Sequence, residues 1–274
     1  MGSDETKEKD DHSFCLIYEI SSIVYLDEYL NTGEFNIFGE KFVENNKNNI
    51  ELVINGIKSK LVHRFKLNKG INYIRPIIKN KLTDLSYMFH KVWTLKNIDA
   101  LKYLDTSSCT NFQSMFHKCY SIKCSCGLSD LKALKDLNVS NGKNFSYMFK
   151  NCKLLTNLDG LENWSISNGI NFDGMFKGCE NLTDIKALTN WNIKNGKDFR
   201  QMFQGLCKLT DLEPLKNWIT SNGNNFYSMF SKCFSLTNLN GLKNWNVENA
   251  TCFANMFDEC NSLIDINGLL NWNV

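Results

Sequence analysis

The chain has 274 residues, is 43% hydrophobic, 22% charged and 12% aromatic, and carries a net charge of +2. That length suits one elongated domain or a repeat array with a small end structure. The near-neutral charge argues against a dedicated nucleic-acid binder, and no run approaches the roughly 18 consecutive apolar residues of a membrane span.

Residues 1–13 are polar and charge-dense and read as a disordered lead. They contain no hydrophobic signal segment, which leads to the expectation of a cytoplasmic protein, with the cell surface as the alternative. Gly2 and Thr6 fit the Met-Gly-x-x-x-Ser/Thr pattern, so Gly2 is a lipidation candidate and its acyl chain the one expected route to a membrane. Short polar sequences also reach that pattern by chance.

Residues 14–81 lack the repeat that follows and read as a β-rich N-terminal cap. Phe14 to Ile20 and Ile23-Val-Tyr-Leu26 look like strands. Ile50 to Val62 alternates in polarity around Asn55-Gly56, the signature of a β-hairpin. Residues 1–40 hold ten acidic and two basic side chains, and residues 41–81 the reverse, so two opposed charge blocks cancel. The basic block could meet phosphate, an anionic membrane or an acidic partner, and a solvated lysine face beside its own acidic lead accounts for it without one.

From residue 82 to 274 the chain repeats. Met88-Phe89, Met115-Phe116, Met148-Phe149, Met175-Phe176, Met202-Phe203, Met229-Phe230 and Met256-Phe257 are spaced by 27 residues, with one gap of 33. Counted from each Met, Phe or Leu at −3 and Cys, Val or Leu at +4 complete an i, i+3, i+4, i+7 pattern, as in Phe112, Met115, Phe116 and Cys119. This spacing predicts a short helix in each unit. A Leu-x-x-Leu/Ile-x-x-Leu run follows, as at Leu182, Ile185 and Leu188, and predicts a short strand whose leucines line a wall. Trp164, Trp191, Trp218, Trp245 and Trp272 close five of the units, and Asn-Gly at Asn141, Asn168, Asn195 and Asn222 predicts a left-handed turn into the next. Six extra residues between Cys119 and Leu128 account for the long gap. The expected fold class is an α/β repeat, a leucine-rich-repeat solenoid of about seven 27-residue coils behind the cap.

The frame Phe-x-x-Met-Phe-x-x-Cys-x-x-Leu-x-x-Leu/Ile-x-x-Leu-x-x-Trp-x-Val resembles the BspA-like leucine-rich repeats, over about two thirds of the chain. That resemblance implies protein binding or adhesion rather than catalysis, and is nearly silent about the ligand. Phe38 to Lys47 also looks like the lead-in of eukaryotic relatives.

Eleven cysteines invite a disulfide framework, but Cys119, Cys152, Cys179, Cys233 and Cys260 share a position that also accepts Val92 and Leu206. A place that accepts Val and Leu wants a small buried hydrophobe, which a free thiol supplies. His117, Cys119, Cys124 and Cys126 lie within ten residues and form a weak zinc candidate, since no Cys-x-x-Cys pair is present and Cys119 belongs to the core pattern. His12, His63 and His90 read as scattered, and neither a phosphate loop nor a nucleophile elbow is found, so neither an enzyme nor a cofactor is expected.

The variable exposed positions carry the functional expectation. An Asx row, Asn97, Asp130, Asn157, Asp184, Asp211, Asn238 and Asp265, is read as structural, bonding backbone between units. Two residues further, Asp99, Lys132, Asp159, Lys186, Glu213, Asn240 and Asn267 mix charges and are the partner-binding candidates. Trp93, Tyr120 and Phe234 recur at a third position as candidate contact anchors. The expected function is a non-enzymatic module that binds another protein, with a homo-oligomer open to it through the uncapped last unit. A cell-surface adhesin, marked by glycosylation at Asn138, Asn144, Asn163, Asn181 or Asn249, is one alternative; a regulatory or metal-binding subunit of an enzyme complex is the other.

Overall fold

The computed structural model describes residues 15–20, 34–121 and 126–274. Phe14, the strand read at Ile23 to Leu26, Gly2 and the polar lead lie outside the described residues.

The N-terminal part is an antiparallel sheet. Strands β1 (Leu16–Ile20), β3 (Ile50–Ile54), β4 (Ile57–Lys60), β6 (Gly70–Ile78) and β7 (Leu95–Asn97) lie in the order β4-β3-β6-β1-β7. Alternation dictates the buried face: Leu16, Tyr18 and Ile20 of β1 and Ile50, Leu52 and Ile54 of β3 point inward, while Glu19 and Glu51 point out. The β3–β4 hairpin turns at Asn55 and Gly56, with φ of 49° and 85°, the pair of positive φ values that a two-residue hairpin needs. Asn72, fully buried in β6, is satisfied by Asn55 Nδ2 at 2.9 Å, the Asn68 amide at 3.0 Å and the Asn68 carbonyl at 2.8 Å. A second pair, β2 (Glu34–Asn36) with β5 (Arg64–Lys66), flanks helix α1 (Glu40–Asn46).

The joint with the first repeat unit rests on Gly39. Its amide donates to the Met88 carbonyl at 2.9 Å, and a Cβ there would sit 2.0 Å from the Tyr87 carbonyl oxygen. Phe38 stacks on Phe89 at 6.0 Å and β7, a piece of the first unit, completes the cap's sheet against β1. The wet apolar end that a first unit would expose is thus covered by ring stacking and strand pairing together.

The units are not helix-plus-strand coils. Among the described residues the one α-helix is α1, and the leucine run forms no strand except β7, which pairs antiparallel with the cap. The chain is therefore mostly sheet and turn, and the α/β leucine-rich solenoid expected from the spacing is not what forms. The reason lies in backbone dihedrals. In every unit the residues at Met −1 and Met +3 have positive φ, from Tyr87 (62°) and Lys91 (61°) to Asn255 (59°) and Glu259 (57°), with Gly174, Gly178 and Gly205 in three of these places. A left-handed residue every fourth position cannot occur within an α-helix. Overlapping tight turns form instead: Met115 N–H donates to Phe112 O, His117 to Ser114 O and Cys119 to Phe116 O. The amides between them reach the next unit, Phe112 to Asn144 O, Ser114 to Ser146 O, Phe116 to Met148 O and Lys118 to Lys150 O, at 2.8 Å each. A chain of such turns repeats every four residues, so it presents the same apolar spacing as a helix.

The leucine run bends likewise into 3-10 turns, at Lys132–Leu134, Lys186–Leu188, Glu213–Leu215, Asn240–Leu242 and Asn267–Leu269. Parallel pairing is confined to isolated bridges, chiefly a column of them at Met −4 running Asp84, Asn111, Asn144, Asn171, Asp198, Asn225, Cys252.

In-register stacking aligns the side chains into columns. Phe112, Phe145, Phe172, Phe199, Phe226 and Phe253 stack at 5.4–5.6 Å with nearly parallel planes, and Phe89 to Phe257 form a second column at 5.5–5.9 Å. Trp164, Trp191, Trp218, Trp245 and Trp272 each donate Nε1–H to a leucine carbonyl of the preceding unit at 2.8–3.0 Å. The column cysteines do the same: the thiols of Cys119, Cys152, Cys179, Cys233 and Cys260 point at Phe carbonyls one unit back, 2.9–3.3 Å away. A thiol therefore adds a weak donor that Val92 and Leu206 lack. The Asn-Gly pairs also work across units rather than as left-handed turns. Asn141, Asn168, Asn195 and Asn222 donate to carbonyls of the preceding unit at 2.7–2.8 Å, and at Gly196 a Cβ would meet Phe199 Cζ at 2.3 Å.

Two stability measurements check this architecture. Gly205 has φ of 75° and nothing within 3.4 Å of a built Cβ, so Gly205→Ala should destabilise by about 1–2 kcal/mol from backbone strain alone. In a helix the same change would stabilise by about 1 kcal/mol, so the sign in urea unfolding decides between the two conformations. Trp191 is 3% exposed and hydrogen-bonded, whereas Trp272 is only partly buried; Trp191→Ala should cost about 3–5 kcal/mol and Trp272→Ala clearly less. Equal losses would show that the last unit is covered in solution.

Candidate functional site

The leucine edge presents the variable row. Each Asx residue accepts the amide two positions on within its own unit: Asp130 from Lys132 at 2.7 Å, Asn157 from Asp159 at 3.0 Å, Asp184 from Lys186 at 2.7 Å, Asp211 from Glu213 at 2.8 Å and Asn238 from Asn240 at 3.1 Å. Asn97 and Asp265 do the same for Asp99 and Asn267. These side chains cap the amide entering the 3-10 turn and do not bridge units, because the nearest donor lies two residues along their own chain. Asp99, Lys132, Asp159, Lys186, Glu213, Asn240 and Asn267 are all exposed. Lys186 lies 3.6 Å from Asp184 and Lys216 2.6 Å from Glu213, surface pairs of little energetic weight.

The insertion leaves a groove in this edge. Tyr120–Ser121 (β8) pairs with Cys126–Gly127 (β9), and beside it a cavity of about 270 Å³ opens between the first two units. Asn97, Asp99, Asp130 and Lys132 line it, so two of the sequence's candidates meet there.

Trp93, Tyr120 and Phe234 are half-buried. Trp93 meets Phe35 edge-on at 6.5 Å and packs where cap and first unit join; Tyr120 sits in β8.

Of the zinc cluster, Cys124 lies outside the described residues and Cys126 enters through its β9 backbone. The Cys119 thiol is fully buried and burial drives its pKa well above the ordinary thiol range, which opposes the thiolate a metal requires. Among the described residues no group of three or more His, Cys, Asp or Glu is placed to hold a metal ion.

The turn edge holds groupings that linear reading missed. His90 and His117 occupy Met +2 of successive units and their ring centroids lie 5.0 Å apart, tilted by 36°. Burial first, then neighbouring cations, lowers His90 to about 4 and His117 to about 3, and His117 Nε2 is buried without a hydrogen-bond partner. Both rings are neutral at pH 7. Further along, the Tyr147 hydroxyl donates to Asp173, whose carboxylate lies 3.5 Å from Arg200; Arg200 in turn grips Asp198 at 2.7 Å. Burial raises the Asp173 pKa despite these partners. The signal available in the sequence was positional: His90 and His117, like Lys150 and Lys177, stand at one place in the 27-residue count.

No described helix is long and apolar enough to cross a membrane. Neither the curated proteins nor the solved structures contain a match to this chain. One family, described as Mycoplasma protein of unknown function, DUF285, matches over residues 60–184, 124–232 and 171–274. The three overlapping matches are what a repeat produces when a multi-unit pattern slides along it. Together they run from the last hairpin of the cap through every repeat unit, and the chain belongs to the DUF285 family.

Proposed function

We propose that this chain is a non-enzymatic protein-binding module whose working surface is the leucine-edge row of Asp99, Lys132, Asp159, Lys186, Glu213 and Asn240. One observation carries the reading: a constant Asx side chain holds the amide of each chemically variable, exposed residue. Such an arrangement orients side chains of different charge on a backbone that needs little ordering when a partner docks, which lowers the entropic cost of binding. The groove beside Asp99 and Lys132 is a place on that edge where a projecting partner side chain can be buried. The resemblance of the repeat frame to adhesion and binding repeats supports the same class of function.

The test separates presentation from support. Proteins captured by the wild-type chain from its own cell extract are rebound to Lys132→Glu/Lys186→Glu, and affinity should fall at least tenfold. The thermal midpoint should barely change, because exposed positions usually matter by less than about 0.5 kcal/mol. Asp184→Ala/Asp211→Ala should do the opposite and lose about 1 kcal/mol per site through an uncapped amide. Should the lysine pair prove neutral for every partner while changes at Trp93, Tyr120 and Phe234 abolish binding, the working surface is elsewhere.

A further inference from the structure

The turn edge carries a row of basic side chains, of which His90 and His117 are neutral at pH 7 while Lys91, Lys118 and Lys150 find no ion-pair partner among the described residues. At Met +2 the first four units hold His90, His117, Lys150 and Lys177, and at Met +3 the first two hold Lys91 and Lys118. Backbone hydrogen bonds from Lys91 N to His117 O (2.9 Å), Lys118 N to Lys150 O (2.8 Å) and Asn151 N to Lys177 O (2.7 Å) put these residues in register, one above the next. Two of the cations are held by aromatic faces, Lys41 of α1 over Tyr87 and Lys150 over Tyr147, each 4.7 Å from the ring centroid.

Like charges at directly opposed ladder positions repel, and the same stack shows the usual remedy elsewhere. Lys232 and Glu259, at the Met +3 place of the last two units, pair at 3.1 Å, and Lys153 pairs with Glu180 at 2.6 Å. None of the ion pairs among the described residues involves Lys91, Lys118 or Lys150. Asp173, a carboxylate whose charge acts on Lys150, is engaged by Tyr147 and Arg200. The mutual repulsion is also visible in the lowered pKa of Lys150, where burial comes first and Lys118 second.

We infer that the stripe from Lys41 and Lys91 through Lys118 to Lys150 is a second docking surface, which takes an extended acidic peptide segment of a protein partner. The geometry favours a peptide. An extended chain sends alternate side chains to one face about every 6.6 Å, against 5.0–5.5 Å between ring centroids of successive units, so over three units a carboxylate stays within about 3 Å of each. The stripe covers only the first three units, with Lys91, Lys118 and Lys150 standing in one each, and ends where Asp173 and Asp198 begin. A nucleic-acid backbone needs a longer field than a chain of net charge +2 supplies. This surface is distinct from the leucine edge, so each can fail alone.

The probe is a fluorescein-labelled peptide of alternating glutamate and serine, seven residues long, followed by polarisation against the full chain at low salt. Saturable binding is expected, weakened at least tenfold by Lys118→Gln/Lys150→Gln and by 0.3 M salt, and unchanged by Lys132→Glu/Lys186→Glu. The thermal midpoint of Lys118→Gln/Lys150→Gln should stay level or rise, since repulsion is relieved. Absence of saturable binding, equal binding by that variant, an effect of the leucine-edge variant as large as that of the turn-edge one, or tighter binding of octathymidylate or phosphatidylserine vesicles each overturns the inference.

Discussion

Everything in the repeat region depends on how the amides around each Met-Phe pair are divided. Alternate N–H groups close tight turns within the unit, and those between them donate to the next unit. In the first six units every amide from Met −3 to Met +4 is bonded, the one at Met −2 to an Asx side chain, so the backbone bonding that a buried segment requires is met without helix or sheet. The division exists only because the residues at Met −1 and Met +3 adopt positive φ. Those residues carry a steric cost of about 1–2 kcal/mol each wherever they are not glycine. Stacking offsets it through two phenylalanine columns, indole donors and thiol donors that all cross from one unit to its neighbour.

That mode of cohesion explains the cap. A unit whose donors and rings point toward its neighbours cannot end in water without leaving both unsatisfied. At the N-terminal side Gly39, Phe38 and β1 supply a donor, a ring and a strand edge to the first unit. Gly39 is decisive because any side chain would strike the Tyr87 carbonyl. The cap and the first unit accordingly share one sheet, and the division near residue 81 is a change of pattern in the sequence rather than a gap in packing.

Rigid stacking also sorts the surface. Wherever the interior repeats, the exterior tends to repeat with it, as Asp99, Lys132, Asp159, Lys186 and Glu213, all exposed at one place in the unit, show. On the leucine edge this yields alternating charges on capped backbone. On the turn edge it superposes like charges, which a protein shaped for stability alone would have interleaved with acids, as it does at Lys232 and Glu259.

The sequence by itself determined the period, the unit boundaries, the column residues and the exposed row, because buried positions in a stack recur in register and each tolerates few side-chain types. Asn55-Gly56 likewise announced its hairpin, since few residues accept two positive φ values in succession. The secondary structure of the unit was not determined: Phe112, Met115, Phe116 and Cys119 satisfy a helix and a string of turns equally, and only the left-handed residues between them distinguish the two. Glycine at 174, 178 and 205 hinted at this, but Tyr87, Lys118 and Gln201 hold the same conformation and give no local sign of it. Tertiary structure decided that conformation, because the donors those residues release are satisfied only when a neighbouring unit is present to accept them. For the same reason the paired histidines and the lysine stripe showed in linear order only as equivalent places in the 27-residue count, and stacking of the units brings His90 and His117 to 5.0 Å in space.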